Sequence, residues 1–267
     1  MLLKRGSLAI VLALGGVMNL GAVVCDLTTA GANCTNFGTS GPALAGPGAT
    51  LLEAGIAPTG TGNIDSFVRI QQNGNEQGYN TDFRPLQYDE QSSPTFTRSL
   101  LLSTVPTVNI GGTLFREFIL DINQQGADPL LTLNRIIVSL RPSGNSAGAT
   151  ATDGVAFGAA AGLFTDDTLV YDSGLANTIE MNFNLNAGSG KGDMFLYIPN
   201  SAFTGPNTFV YLYSEFGFGP NDTNDGFEEW AVQTAAPIPE PSTVFVLCGF
   251  IAAGALARRR LMQAKIS

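Results

Sequence analysis

Residues 178–186 read TIEMNFNLN. In an extended chain Ile179, Met181, Phe183 and Leu185 fall on one face, and Glu180, Asn182 and Asn184 on the other. Side chains of a strand alternate between faces, so this pattern predicts a half-buried β-strand. Reading outward, NIDSFVRIQ (63–71), FTRSLLLS (96–103), TLFREFILDIN (113–123), LLTLNRIIVSL (130–140), DTLVYDS (167–173), DMFLYIP (193–199) and NTFVYLYSEF (207–216) carry similar β-branched and aromatic content. Turn clusters separate them: QNGNEQG (72–78), PSGNSAGATATDG (142–154), NAGSGKGD (186–193), SAFTGPN (201–207) and GFGPNDTNDG (217–226).

No amphipathic helix of useful length interrupts these strands. Many strands without crossover helices point to antiparallel sheets. The expected fold is all-β, a single antiparallel β-sandwich, jelly-roll-like in size, over 63–235. A closed barrel is the alternative. The strands lack the consistent aromatic girdles of an outer-membrane barrel. Ahead of this body, residues 26–62 are dominated by Gly, Ala, Thr and Pro (GPALAGPGAT at 41–50, IAPTGTG at 56–62). They read as a loosely ordered approach segment with room for one strand.

The chain has 267 residues and no histidine. Ser-His-Asp and Cys-His catalysis, histidine-ligated zinc and imidazole pH switches are therefore excluded. Between Asp26 and Pro239 seven basic residues stand against 21 acidic ones, a balance of −14. Such a surface repels phosphate backbones, so nucleic acid is not an expected partner.

The two ends differ from the body. Lys4 and Arg5 precede an apolar run from Leu8 to Val24, the layout of a signal peptide over residues 1–25. A retained anchor is the competing reading, but Gly15, Gly16 and Asn19 interrupt the run. Val24 stands where a lipoprotein signal carries a small residue before its cysteine. If the leader leaves with Cys25, Cys34 is stranded; earlier cleavage would let the two pair. At the other end, Ser242 to Ala257 is 16 residues without a charge, about 24 Å as a helix and slightly short of a bilayer core. Arg258, Arg259 and Arg260 follow and would hold that end in the cytoplasm.

Pro239-Glu240-Pro241 directly precedes the apolar span, and the chain ends seven residues after the arginines. Residues 237–267 thus resemble the PEP-CTERM sorting signal of Gram-negative exported proteins. The resemblance implies transient inner-membrane anchoring through a C-terminal transmembrane sorting helix. It further implies removal of the tail near Pro239–Pro241 by exosortase, after signal peptidase has acted on the leader. The body would then reach the cell surface or extracellular matrix, in association with exopolysaccharide or biofilm.

Two stretches of the body are candidate sites. In DINQQGAD (121–128), Asp121, Asn123 and Gly126 occupy positions one, three and six of an EF-hand-like calcium loop, with Asp128 close by. Gln125 at position five and Thr132 at position twelve depart from that pattern, and a strand ending in a turn explains the stretch equally well. In PNDTNDGFEEW (220–230), Asp222 and Asp225 lie near Trp230, the single tryptophan. They suit a calcium loop or a sugar platform. Alternatively, Asp225-Gly226 turns into a last strand whose Trp230 belongs to the core. Glu228 and Glu229 would point to opposite faces of that strand. Asp89-Glu90 and Asp166-Asp167 are the adjacent carboxylate pairs that a glycosidase reading would need, and read more simply as solvated turns.

The expected function is a non-enzymatic exported surface or matrix protein with no cofactor. A lectin-like, calcium-assisted carbohydrate-binding module is the alternative, and a secreted hydrolase the third reading. Trp230, Tyr211 and Tyr213 discriminate: solvent-facing rings favour sugar binding, buried rings favour structure.

Overall fold

The structure is a computed structural model that describes residues 22–41, 46–53, 64–148, 163–164, 167–188 and 192–233. The expected signal peptide, up to residue 21, and the expected sorting tail 237–267 lie outside them. Fifteen strands are described: β1 Val24–Leu27, β2 Asn33–Phe37, β3 Thr39–Ser40, β4 Ala49–Glu53, β5 Ile64–Ile70, β6 Glu76–Tyr79, β7 Leu100–Leu101, β8 Thr107–Ile110, β9 Thr113–Asp121, β10 Leu130–Arg141, β11 Thr168–Asp172, β12 Thr178–Asn182, β13 Met194–Pro199, β14 Phe209–Phe216 and β15 Glu228–Gln233. Among the described residues there is no α-helix, and no helix is long and apolar enough to cross a membrane.

The strands form two sheets. The eight-stranded sheet runs β1-β12-β10-β11-β3, with β14 also paired to β10 and carrying β6 and β7 on its far edge. The seven-stranded sheet runs β2-β4-β13-β9-β15-β5, with β8 joined to β9. All pairings are antiparallel except β1 with β12, which is parallel. The β8–β9 hairpin turns through Gly111 and Gly112, whose φ values of 59° and 90° suit a tight two-residue hairpin loop.

One apolar cluster unites the sheets. Ile136, Val138 and Leu140 of β10 and Val210 and Leu212 of β14 meet Phe118 and Leu120 of β9, Leu196 and Ile198 of β13, and Trp230 of β15. Long strands keep their inward register through bulges. Between Leu133 and Arg135 the register with β14 shifts by one, so Leu133 and Ile136 both reach the core. The Asn134 side chain at that bulge accepts a hydrogen bond from Phe218 N at 2.9 Å.

A second cluster lies on the other face of the eight-stranded sheet. Tyr79, Tyr211, Tyr213 and Ile137 pack there beneath Leu163 and Phe164, with Tyr88 alongside. Phe164 meets Tyr211 edge-on at 5.1 Å. Arg84 braces the neighbouring loop by donating to the carbonyls of Thr81, Ser92 and Thr97.

Two expectations need correction. Residues 26–62 are not merely an approach segment: β1 to β4 enter both sheets. Composition hid them because Gly and Pro fill the connections, while Leu27, Phe37, Ala49 and Leu51 supply buried side chains. The quoted stretch 178–186 is a strand only as far as Asn182. Ile179 and Met181 are buried, but Phe183–Leu185 form a 3-10 turn. The Asn182 side chain accepts from Asn184 N at 3.0 Å and so draws the backbone out of the sheet.

β1 starts at Val24, inside the expected leader 1–25. Cys25 is wholly buried in β1 and disulfide-bonded to Cys34 of β2. Val23 N donates to the Asn177 side chain, and Val23 O accepts from Thr178 N, both at 3.1 Å. The folded body therefore begins upstream of residue 25.

Candidate functional site

The two candidate stretches meet at one end of the fold. Residues 122–129 connect β9 to β10, and residues 217–227 connect β14 to β15. Gln125 N donates to the Asn224 side chain at 2.8 Å, and the Gln125 amide donates to Asn224 O at 2.9 Å. Asn224 N donates to Gln124 Oε1, while its side chain donates to Asp128 O. A third loop, 71–75, joins them through Gly74 N to Thr223 O at 2.8 Å and Thr223 N to Gly74 O at 2.9 Å. Thr223 Oγ1 also donates to Gln72 O at 2.5 Å. Gly217 lies close against this junction: with φ at 79°, an added Cβ would stand 2.0 Å from Gly74 O.

Amides and backbone groups make this junction; the acidic side chains singled out in the sequence do not. Asp121 ends β9 and stands opposite Glu229 in register, on the sheet face opposite that of Glu228. Asn123 packs against Gly226. Asp128 is exposed and closes a tight turn, its N–H donating to Gln125 O at 2.9 Å. The stretch is a strand end followed by a turn. Asp222 and Asp225 are exposed, and Asp225 accepts from Gly226 N at 2.8 Å. Among the described residues no three or more His, Cys, Asp and Glu side chains gather as metal ligands.

Trp230 is not available as a sugar platform. It is 0% exposed in the core between the sheets, and its Nε1 donates to Ser214 Oγ of β14 at 3.0 Å. Tyr211 and Tyr213 are also buried. Tyr211 Oη donates to Ser143 O at 2.8 Å, and Tyr213 Oη to the Glu215 carboxylate at 2.6 Å.

Glu228 and Glu229 do point to opposite faces. Glu229 pairs with Arg69 of β5, whose Nε donates to it at 2.6 Å. The Arg69 guanidinium lies between the rings of Phe96 and Phe227, 3.6 and 3.7 Å from their centroids. Glu228 faces inward beside Trp230 and is wholly buried.

The group that the sequence reading missed is Glu76, at the start of β6. It is 1% exposed, and its carboxyl adjoins that of Glu228. One oxygen of Glu76 accepts from Gln72 N at 2.6 Å, and one oxygen of Glu228 accepts from the Gln124 amide at 3.2 Å. Burial pushes the Glu228 carboxyl well above the usual carboxylate range, and the adjacent Glu76 raises it further. Burial likewise raises Glu76, with Asp89 adding to the shift. Glu76 was hidden in a segment that reads as a turn. The one available clue was the shared parity of Glu228 and Trp230.

Of the adjacent pairs, Asp89 and Glu90 both accept from backbone N–H groups. Glu90 accepts from Tyr79 N at 3.0 Å and Tyr88 N at 2.8 Å, and burial raises its carboxyl above its ordinary value. Asp89 accepts from Gln77 N at 3.0 Å. Asp167 accepts from Phe164 N at 3.0 Å, and Asp166 lies outside the described residues.

Two surface clefts are described. One of about 480 Å³ is lined by Val23, Phe37, Thr39, Asp172, Leu175 and Asn177. Its Asp172 already forms a two-point ion pair with Arg135, at 2.7 and 3.1 Å. A second, of about 350 Å³, is lined by Val24, Asp26, Leu130, Glu180 and Asn221. No family model matches this chain, and no curated protein or solved structure matches it either.

Proposed function

We propose that this chain is an exported, non-enzymatic surface or extracellular-matrix protein sorted through a PEP-CTERM tail. The observation that carries the reading is the ordered tripartite end: Pro239-Glu240-Pro241, the uncharged Ser242–Ala257 span and Arg258–Arg260. In this account signal peptidase removes the leader and the tail holds the chain at the inner membrane. Exosortase then cuts near Pro239–Pro241, and the body joins the surface or exopolysaccharide matrix. The body itself is a jelly-roll-like β-sandwich.

Two features support the reading. The Cys25–Cys34 disulfide suits an oxidising destination. The aromatic side chains that would serve a sugar site, Trp230, Tyr211 and Tyr213, are all buried, which favours a structural role over a lectin. Against a glycosidase, the Glu76 and Glu228 carboxyls adjoin one another. A glycosidase needs about 5–10 Å between its two carboxyls to admit substrate.

The test is fractionation of a Gram-negative host that has an exosortase. The wild-type body should appear in the surface or released fraction, and a Pro239→Ala/Pro241→Ala variant should stay with the inner membrane. Equal release of both would overturn the sorting reading.

A further inference from the structure

Glu76 and Glu228 come from different sheets, β6 in the eight-stranded sheet and β15 in the seven-stranded one. Their carboxyls meet where loops 71–75, 122–129 and 217–227 converge. Each has one oxygen committed to N–H donors. The other oxygen of each, Oε1 of Glu76 and Oε2 of Glu228, is buried and has no N–H or O–H donor when both groups are ionised. Two carboxylates in contact at this depth repel strongly, and each buried charge without a donor is destabilising. Something positive must sit between them.

One proton shared by the pair removes one of the two charges and supplies an O–H donor that neither carboxylate has. A divalent cation would need about six to eight oxygen ligands. The nearby oxygens are already engaged: Gln72 O and Gly74 O accept from Thr223, and Gln124 Oε1 accepts from Asn224 N. The groups acting on the pair from its surroundings are the Asp89 carboxylate, the Gln72 and Asn123 N–H groups and the Gln124 amide. None is a cation. Arg69 is occupied by Glu229 on the opposite face of β15.

We infer that Glu76 and Glu228 share one proton and act as an acid-held latch between the two sheets, whose loss at alkaline pH loosens the three-loop end of the fold. The sign follows from burial. The folded pair keeps a proton that the unfolded chain releases in the ordinary carboxylate range. Its contribution to stability is therefore complete below that range and is lost as pH rises through the folded value.

The experiment is urea unfolding of the full chain from about pH 5 to about pH 9, for wild type, Glu228→Gln and Glu76→Gln. Either amide can donate the hydrogen bond that the shared proton supplies, with no titration. The wild-type unfolding constant should rise by up to about tenfold per pH unit over the range in which the folded pair keeps the proton and the unfolded chain has released it. That dependence should be weakened in both variants, each of which should exceed wild type in stability at the alkaline end. Infrared spectroscopy of the folded wild type at neutral pH should show a protonated carboxylic acid band that Glu228→Gln removes. Absence of that band in wild type, or the same pH dependence in wild type and both variants, overturns the latch. So does calcium that raises the wild-type midpoint at neutral pH and leaves Glu228→Gln unmoved, since the pair would then hold a cation.

Discussion

Cys25 and Cys34 are joined by a disulfide that ties β1, at an edge of the eight-stranded sheet, to β2, at an edge of the seven-stranded one. The two sheets are thus covalently stapled where the chain enters the fold. The loop it closes is short, with a sequence separation of 9. The chain-entropy argument gives about 2–3 kcal/mol for such a loop. Reduction, or Cys34→Ser, should lower the unfolding free energy by that amount in urea titrations at fixed pH. No change on reduction would mean that the staple constrains nothing the sheets do not already hold.

The same bond sets a limit on processing. Because Cys25 is buried and Val23 is hydrogen-bonded at both its N–H and C=O, the exported chain should start no later than Val23. N-terminal sequencing of the exported form should read through Cys25. A first residue of Asp26 or later would contradict the arrangement of β1 and β2.

Trp230 supplies an internal reporter, since it is the single tryptophan. Trp230→Ala should cost about 3–5 kcal/mol, as expected for emptying a core aromatic site. Trp230→Phe should cost less, with part of its loss due to the Ser214 hydroxyl left without its indole donor. Soluble oligosaccharides should leave the tryptophan emission of the wild type unchanged. A saturable shift with any glycan would restore the lectin alternative.

Arg69 is held by three groups at once, the Glu229 carboxylate and the rings of Phe96 and Phe227. Both charged side chains are largely shielded, at 15% and 13% exposure. A double-mutant cycle with Arg69→Met and Glu229→Gln should give a coupling energy of about 1 kcal/mol, at the upper end for an ion pair near the surface. Phe227→Ala should weaken the fold by a further increment that Arg69→Met removes. Additive effects across the cycle would show that the pair is incidental.

Long apolar strands were legible in the sequence because their periodicity is set by burial. TLFREFILDIN, LLTLNRIIVSL and NTFVYLYSEF became β9, β10 and β14 with small shifts at their ends. The first four strands were not legible, since strands of two to five residues are too short for their alternation to stand out among Gly- and Pro-rich connections. FTRSLLLS yielded only the two-residue β7, because Ser99 N is taken by the Asp82 side chain and Thr97 O by Arg84. The meeting of 121–128 with 220–230 was hidden for a different reason. It depends on Gln124, Gln125 and Asn224 acting across about a hundred residues of chain, and amides carry no sequence pattern of their own. Alternation placed Glu228 and Glu229 on opposite faces; finding the partner of Glu228 required the strand order.

The most direct test of the account is the intact mass of the cell-associated and released forms, made in a host with its exosortase. The account predicts a released chain that begins at or before Val23, keeps the Cys25–Cys34 bond and ends near Pro239–Pro241, and that is lost in the Pro239→Ala/Pro241→Ala variant. A chain that stays in the membrane and still carries Arg258–Arg260 would contradict it, making the tail a plain anchor.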